Sequence, residues 1–155
     1  VKNDSELSKK IALITSIKGV GFLTAITLIG ETLGFDLFKT KGQLVSFSGY
    51  DVVKDESGTS VKGAEKISKK GNSHIRRALY FPAISAVGHS PFFKTIFNTN
   101  FDKTKIKMKA YVAVQRKLLV VIYSMYKSNE VFNPNYVSVK SQITHKKIEQ
   151  EPVLP

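Results

Sequence analysis

Apolar residues recur at helical intervals through most of the chain. Leu7, Ile11 and Ile14 fall three or four positions apart, which predicts a first helix capped at Asp4 or Ser5 and reaching about Ile17. Gly19-Val20-Gly21 interrupts the pattern. A second helix is predicted over Phe22 to Leu33, with Ala25, Ile26 and Ile29 inward and Gly34 as its C′ stop. Thr40 caps a short helix, Lys41 to Phe47, ended by Gly49. From Tyr50 to Ala64, valines mix with Asp, Ser and Gly, the pattern of an ordered loop or a short hairpin. Asn72 or Ser73 opens the next helix, which runs to about Val87 and carries Pro82, expected to kink it. Ser90-Pro91 opens a short helix, Phe92 to Asn98. The longest helix is expected from Asp102 or Thr104 to about Tyr126. Its buried stripe would be Ala110, Ala113, Val114, the Lys117 stem, Leu118, Val121, Ile122 and Met125. Beyond Asn133 the chain is polar and aperiodic, a tail or a partner-bound arm.

The fold class is therefore mainly α: a helix-hairpin-helix over residues 11–34, joined to a helical bundle, with an ordered loop or short hairpin near 50–64. Residues 1–132 form one domain and 133–155 the tail. The stretch from Ile11 to Phe35 is apolar enough to suggest a membrane span. Lys18, Glu31, its threonines and its glycines argue against that, and no membrane partner is expected.

Charge narrows the function classes. Twenty-four Lys and Arg stand against 12 Asp and Glu among 155 residues, a formal charge of +12, which favours a polyanionic partner. Without cysteine, neither a disulfide framework nor a thiolate zinc site can form, which fits a cytoplasmic protein. The cations are unevenly placed. Residues 1–37 hold four lysines (2, 9, 10 and 18) and four acids (4, 6, 31 and 36), a net charge of zero.

Three segments are candidate phosphate contacts. In the first, Gly19 and Gly21 allow a tight turn and the first amides of the following helix point outward with the positive end of its dipole, with Lys18 and Thr24 alongside. Because its surroundings are neutral, this grip would rely on backbone amides and be independent of DNA sequence. The second is the basic centre: Lys62, Lys66, Lys69, Lys70, Asn72, Arg76 and Arg77. The third is Lys103, Lys105, Lys107 and Lys109, expected in the first turns of the long helix, where cations oppose the dipole and a polyanion would relieve them.

His74, His89 and His145 are widely separated and lack metal-ligand spacing. The acids Asp51, Asp55 and Glu56 have no second carboxylate group to complete a two-metal site, so no metal is expected in this chain. Ser57, in Asp55-Glu56-Ser57-Gly58-Thr59-Ser60, is a turn serine by residue type. A serine so placed can also attack a phosphodiester, given cations such as Lys70, Arg76 and Arg77 to stabilise the phosphoryl transition state.

An ordered set of short motifs gives that serine more meaning. They are Ile17-Lys18-Gly19-Val20-Gly21 with Thr24-Ala25, Phe38, Phe47-Ser48-Gly49-Tyr50, Glu56-Ser57-Gly58, Ile67-Ser68-Lys69-Lys70-Gly71-Asn72, Ile75-Arg76-Arg77-Ala78-Leu79-Tyr80 and Arg116-Lys117-Leu118-Leu119. From about Ile11 to Tyr126 the chain resembles the C-terminal transposase domain of the DEDD-type serine transposases of insertion sequences, the bridge-RNA-guided recombinases. The resemblance implies DNA cleavage and strand exchange through a phosphoserine intermediate, with Ser57 as nucleophile and Ser60 as the reserve candidate. It also implies a guide non-coding RNA, a homo-oligomer, and action at the bacterial nucleoid. The family pairs this domain with an N-terminal resolvase-like domain whose four acids bind divalent metal (Mg). That domain is expected to be missing here, so the chain alone is expected to be inactive. The family's proline after Gly-Tyr is replaced by Val52 or Val53. The competing reading is a non-enzymatic helix-hairpin-helix module that binds the DNA backbone without sequence preference.

Overall fold

The computed structural model describes residues 2–53, 56–57, 61–62 and 66–134. Within these, helices dominate, in the order α1 (Lys2–Thr15), α2 (Phe22–Glu31), α3 (Lys41–Phe47), α4 (Ser73–His89), α5 (Pro91–Thr104) and α6 (Lys107–Ser128). Between α3 and α4 lie four two-residue strands: β1 (Val52–Val53), β2 (Glu56–Ser57), β3 (Val61–Lys62) and β4 (Lys66–Ile67). The mainly α fold follows from the helical periodicity of the sequence.

α6 is the central element and touches α1, α3, α4 and α5. Its stripe of Ala110, Val114, Leu118, Leu119, Val121, Ile122 and Met125 is buried, as a repeat of three and four places apolar residues on one helix face. Lys117 is not part of that stripe: it is exposed, its ammonium 5.5 Å from the centre of the Phe92 ring. α5 lies antiparallel to α6, with Phe97 on Tyr111 at 4.6 Å. After α6 the chain turns back so that Phe132 packs on Phe92 and Phe93. Apart from Asn133 and Pro134, the expected tail lies outside the described residues.

Caps that depend only on neighbours in sequence form as expected. Thr40 and Gln43 make a reciprocal capping box on α3. The Asn72 side chain accepts from the amides of His74 and Ile75 at the start of α4. α4 then runs through the buried Pro82 as one helix.

Several boundaries differ from expectation. α1 already includes Lys2, ahead of Asp4 and Ser5. At the end of α2 the left-handed C′ residue is Leu33, not Gly34. Leu33 N–H donates to the Gly30 carbonyl and Gly34 N–H to that of Ile29, a Schellman pair shifted by one residue. The buried Thr32 fixes the shift, its hydroxyl donating to the Leu28 carbonyl at 2.6 Å and accepting from Phe35 N–H at 3.1 Å. On α2 the inward residues are Ala25 and Leu28, while Ile26 is 41% exposed.

The largest change is at α5. It extends to Thr104, well past Asn98, and ends at Lys105 in the left-handed conformation, with Ile106 as the N-cap of α6. Lys103 therefore sits in the last turn of α5, where a cation complements the dipole. Only Lys107 and Lys109 stand at a helix start.

Candidate functional site

The segment after α3 is a hairpin rather than a loop. β1 pairs antiparallel with β4 (Val52 opposite Ile67) and β2 with β3 (Ser57 opposite Val61). Ser57 is thus a strand residue in the inner of two nested ladders, and Lys62 lies on the facing strand. Ser60 lies outside the described residues.

A compact clasp fixes the base of this hairpin. On the incoming side are Phe47, Ser48 and Gly49 at the end of α3, and on the outgoing side are Lys69, Gly71 and Asn72 before α4. Lys69 N–H donates to the Gly49 carbonyl at 3.1 Å and Asn72 N–H to that of Phe47 at 2.8 Å. The Arg76 guanidinium spans both sides, one nitrogen donating to the carbonyls of Ser48 (2.9 Å), Asn72 (3.2 Å) and Gly71 (3.3 Å). Asn72 adds a bond from its amide to the Glu31 carboxylate at 2.6 Å, tying the clasp to the end of α2. Just above it, the Ser68 hydroxyl donates to Asp51 at 2.6 Å and accepts from Lys70 N–H at 3.2 Å. Tyr50, fully buried, donates to Gln115 of α6 at 2.8 Å. Burial in this apolar setting pushes the Tyr50 hydroxyl pKa well above its ordinary value, so it stays a neutral donor.

The clasp divides the basic centre in two. Arg76 and Asn72, expected as phosphate contacts, spend side-chain hydrogen bonds on the protein's own backbone. Lys69, Lys70 and Arg77 are exposed around the same helix start, as is Lys66 on β4. Lys69 holds a left-handed conformation. The structural part of Arg76 was not visible in its sequence neighbourhood. The only hint was its spacing of four from Asn72, which places a long side chain over the preceding turn.

At the α1–α2 turn, Ile17 and Val20 are buried and anchor the turn in the core, leaving Lys18 exposed. Gly19 has φ +98, and a Cβ there would lie 2.6 Å from the Ser85 side chain, so this glycine serves close packing on α4. Gly21 differs. It is the N-cap of α2, gives no side-chain cap, and has nothing within 4 Å of where a Cβ would sit. The first-turn amides of α2 consequently have no side-chain acceptor from the N-cap. Thr24 points toward α4, its hydroxyl 3.5 Å from the Ala78 carbonyl. Lys103, Lys105, Lys107 and Lys109 surround the α5–α6 corner, with Lys105 paired to Asp102 at 3.3 Å. Among the described residues, no three His, Asp or Glu side chains come together as metal ligands, and no helix is long and apolar enough to cross a membrane.

Known proteins are similar to this chain over most of its length. A pilin gene-inverting protein of Moraxella lacunata is 30% identical over 132 residues, covering 83% of this chain and 40% of that protein. The pilin gene-inverting protein of Moraxella bovis is 29% identical over 129 residues, with the same coverage. An uncharacterised 43.6 kDa protein of the insertion element IS110 from Streptomyces coelicolor is 26% identical over 120 residues. The chain spans about two fifths of the length of the Moraxella relatives. Residues 11–98 match the Transposase IS116/IS110/IS902 family. That match takes in the α1–α2 turn, the clasp, the hairpin and the whole of α4, and with it this chain belongs to the IS116/IS110/IS902 transposase family.

Proposed function

We propose that this chain is the DNA-holding, serine-bearing domain of a transposase, with Ser57 as the nucleophile in strand cleavage. The observation that carries the reading is the clasp. It fixes both ends of the hairpin that bears Ser57 and leaves Lys69, Lys70 and Arg77 exposed around the same helix start. Attack by the Ser57 oxygen on a phosphodiester would form a phosphoserine ester and break the bond to a deoxyribose oxygen. The serine hydroxyl would lose its proton and the leaving oxygen would gain one. The exposed cations at the hairpin base lie at the other end of the ladder from Ser57 and would hold flanking DNA phosphates rather than the reacting one. Inverting a gene, the act for which the Moraxella relatives are named, requires cutting and rejoining DNA.

In this reading DNA is the partner, engaged in the bacterial cytoplasm at the nucleoid, and a guide non-coding RNA selects the site. Divalent metal belongs to a resolvase-like acidic domain outside these residues. The working form is a homo-oligomer. The test is Ser57→Ala in a transposase of the relatives' length that contains this segment. Strand exchange and any covalent protein–DNA adduct are expected to vanish while DNA binding persists. Recombination at the parental rate would refute the assignment.

The second reading is a non-enzymatic helix-hairpin-helix module. The open N-terminus of α2 at Gly21 favours it. It predicts sequence-independent binding with a steep salt dependence and no effect of Ser57→Ala on any DNA transaction.

A further inference from the structure

The corner where α5 meets α6 reads Asp102-Lys103-Thr104-Lys105-Ile106-Lys107-Met108-Lys109. Lysine recurs at every second position, and two of the positions between are apolar. Ile106 is 48% exposed and Met108 52%. Lys103, Lys105 and Lys107 are exposed around them and Lys109 is half-buried. α5 and α6 together hold one acid, Asp102, and it is paired to Lys105 at 3.3 Å. The remaining cations of the corner have no acid on either helix to match them. Nor does the fold need them all: Lys107 and Lys109 stand in the first turn of α6, against its dipole. The corner is firmly held. Lys105 takes the left-handed conformation and its N–H donates to the Phe101 carbonyl at 2.6 Å. The Phe101 ring stacks on Phe97 at 5.9 Å, and Phe97 packs on Tyr111 at 4.6 Å. An aromatic stack thus ties the end of α5 to the second turn of α6.

We propose that this corner enters the minor groove of duplex DNA. Ile106 and Met108 act as an apolar wedge that parts a base step and bends the duplex, while the lysines on either side hold the flanking phosphates. Three features select this occupant. The unmatched cations select a polyanion. The apolar side chains among them select a polyanion with apolar faces to offer: a phosphate backbone alone gives Ile106 and Met108 nothing to touch, whereas a parted base step does. The shape selects the groove. Residues 110–115 are buried or half-buried, so only the first turn of α6 is free, and the helix cannot lie along the major groove. Two exposed apolar residues also fall short of the continuous apolar face by which a helix rests on a lipid surface. This assignment rests on the reading of DNA as the partner and is independent of Ser57.

The experiment mixes the 155-residue chain with a duplex of about 20 base pairs carrying a dye at each end, and reads affinity by anisotropy and bending by energy transfer over a salt series. The unaltered chain is expected to draw the ends together by a bend of roughly 20–90°. Ile106→Ala/Met108→Ala keeps every charge and suits a helix start. It is expected to bind with an unchanged salt slope and an affinity within about tenfold of the parent, yet to leave the duplex straight. Ile106→Leu/Met108→Leu is expected to keep the bend. Lys103→Gln/Lys107→Gln should instead reduce the salt slope by about 2. A central mismatch, which loosens the base step beforehand, should tighten binding by the parent several-fold and by the alanine variant not at all. A parent that binds without bending, or an alanine variant that bends DNA as far as the parent, overturns the wedge and leaves the DNA-holding reading in place. Absence of duplex binding even at low salt overturns both. A parent that leaves the duplex straight but binds phosphatidylserine vesicles, with that binding lost in the alanine variant, overturns the wedge in favour of a lipid surface.

Discussion

Replacing Gly71 with alanine puts the clasp to its most direct test. Gly71 has φ +155, and a Cβ on it would press on the Phe47 carbonyl oxygen and lie 2.8 Å from the Gly49 nitrogen and 3.0 Å from the Phe47 carbonyl carbon. All three are backbone atoms, so no rotamer change relieves the contact. The backbone conformation alone costs a non-glycine residue about 1–3 kcal/mol. Moving the two sides apart also endangers the Asn72-to-Phe47 and Lys69-to-Gly49 hydrogen bonds, each contributing about 1 kcal/mol net. The sum, about 3–5 kcal/mol, is a large part of the roughly 5–15 kcal/mol that holds a domain folded. In a chain of this size that lowers Tm by about 6–20 °C. The assay is thermal unfolding followed at 222 nm, with Gly88→Ala as the control. Gly88 lies within α4 with nothing within 4 Å of its missing Cβ, so alanine there should raise Tm slightly. A Gly71→Ala protein melting within about 2 °C of the parent would refute the reasoning that the clasp sets the hairpin base.

Arg76 and Arg77 are adjacent and should behave oppositely. Arg76→Ala removes the nitrogen that bridges three carbonyls and should destabilise by about 1–3 kcal/mol in urea unfolding, whereas Arg77→Ala should leave stability within about 0.5 kcal/mol. In fluorescence anisotropy with duplex DNA, Arg77→Ala should weaken binding and reduce the salt slope by about 1. Tyr50→Phe strands the buried Gln115 oxygen and should cost about 1–3 kcal/mol. Because burial raises the folded pKa of Tyr50, its contribution is complete below the unfolded value of about 10 and is lost as pH rises above that, so parental stability should fall there more steeply than that of the variant. Lys107→Glu should stabilise α6 by about 0.3–1 kcal/mol at low salt and Lys103→Glu should destabilise α5 by a similar amount, both while lowering DNA affinity; equal signs in unfolding would contradict the break at Lys105.

The elements that proved legible in the sequence are those whose cause is local. The Thr40–Gln43 capping box, the Asn72 cap, the Ser90-Pro91 start and the three-and-four spacing along α6 depend on residues within one turn of each other, so the sequence suffices to place them. The motifs around Gly49 and Gly71 were likewise visible, but their purpose was not. They are 22 residues apart in sequence and adjacent in space, and only the fold makes one the neighbour of the other.

The same reasoning separates what the sequence alone determined from what tertiary structure decided. Helix identity, the basic charge and the position of the serine follow from residue type and spacing. The division of the lysine cluster between two helix ends, the exposure of Ile26 and the engagement of Arg76 in the clasp do not. Each depends on which surfaces the bundle brings together: α5 turning back along α6, α2 lying against α4, and α3 ending beside the start of α4. A one-dimensional pattern specifies which face of a helix is apolar, but packing decides which part of that face is covered, and hydrogen-bond partners far apart in sequence decide what a charged side chain is left free to do.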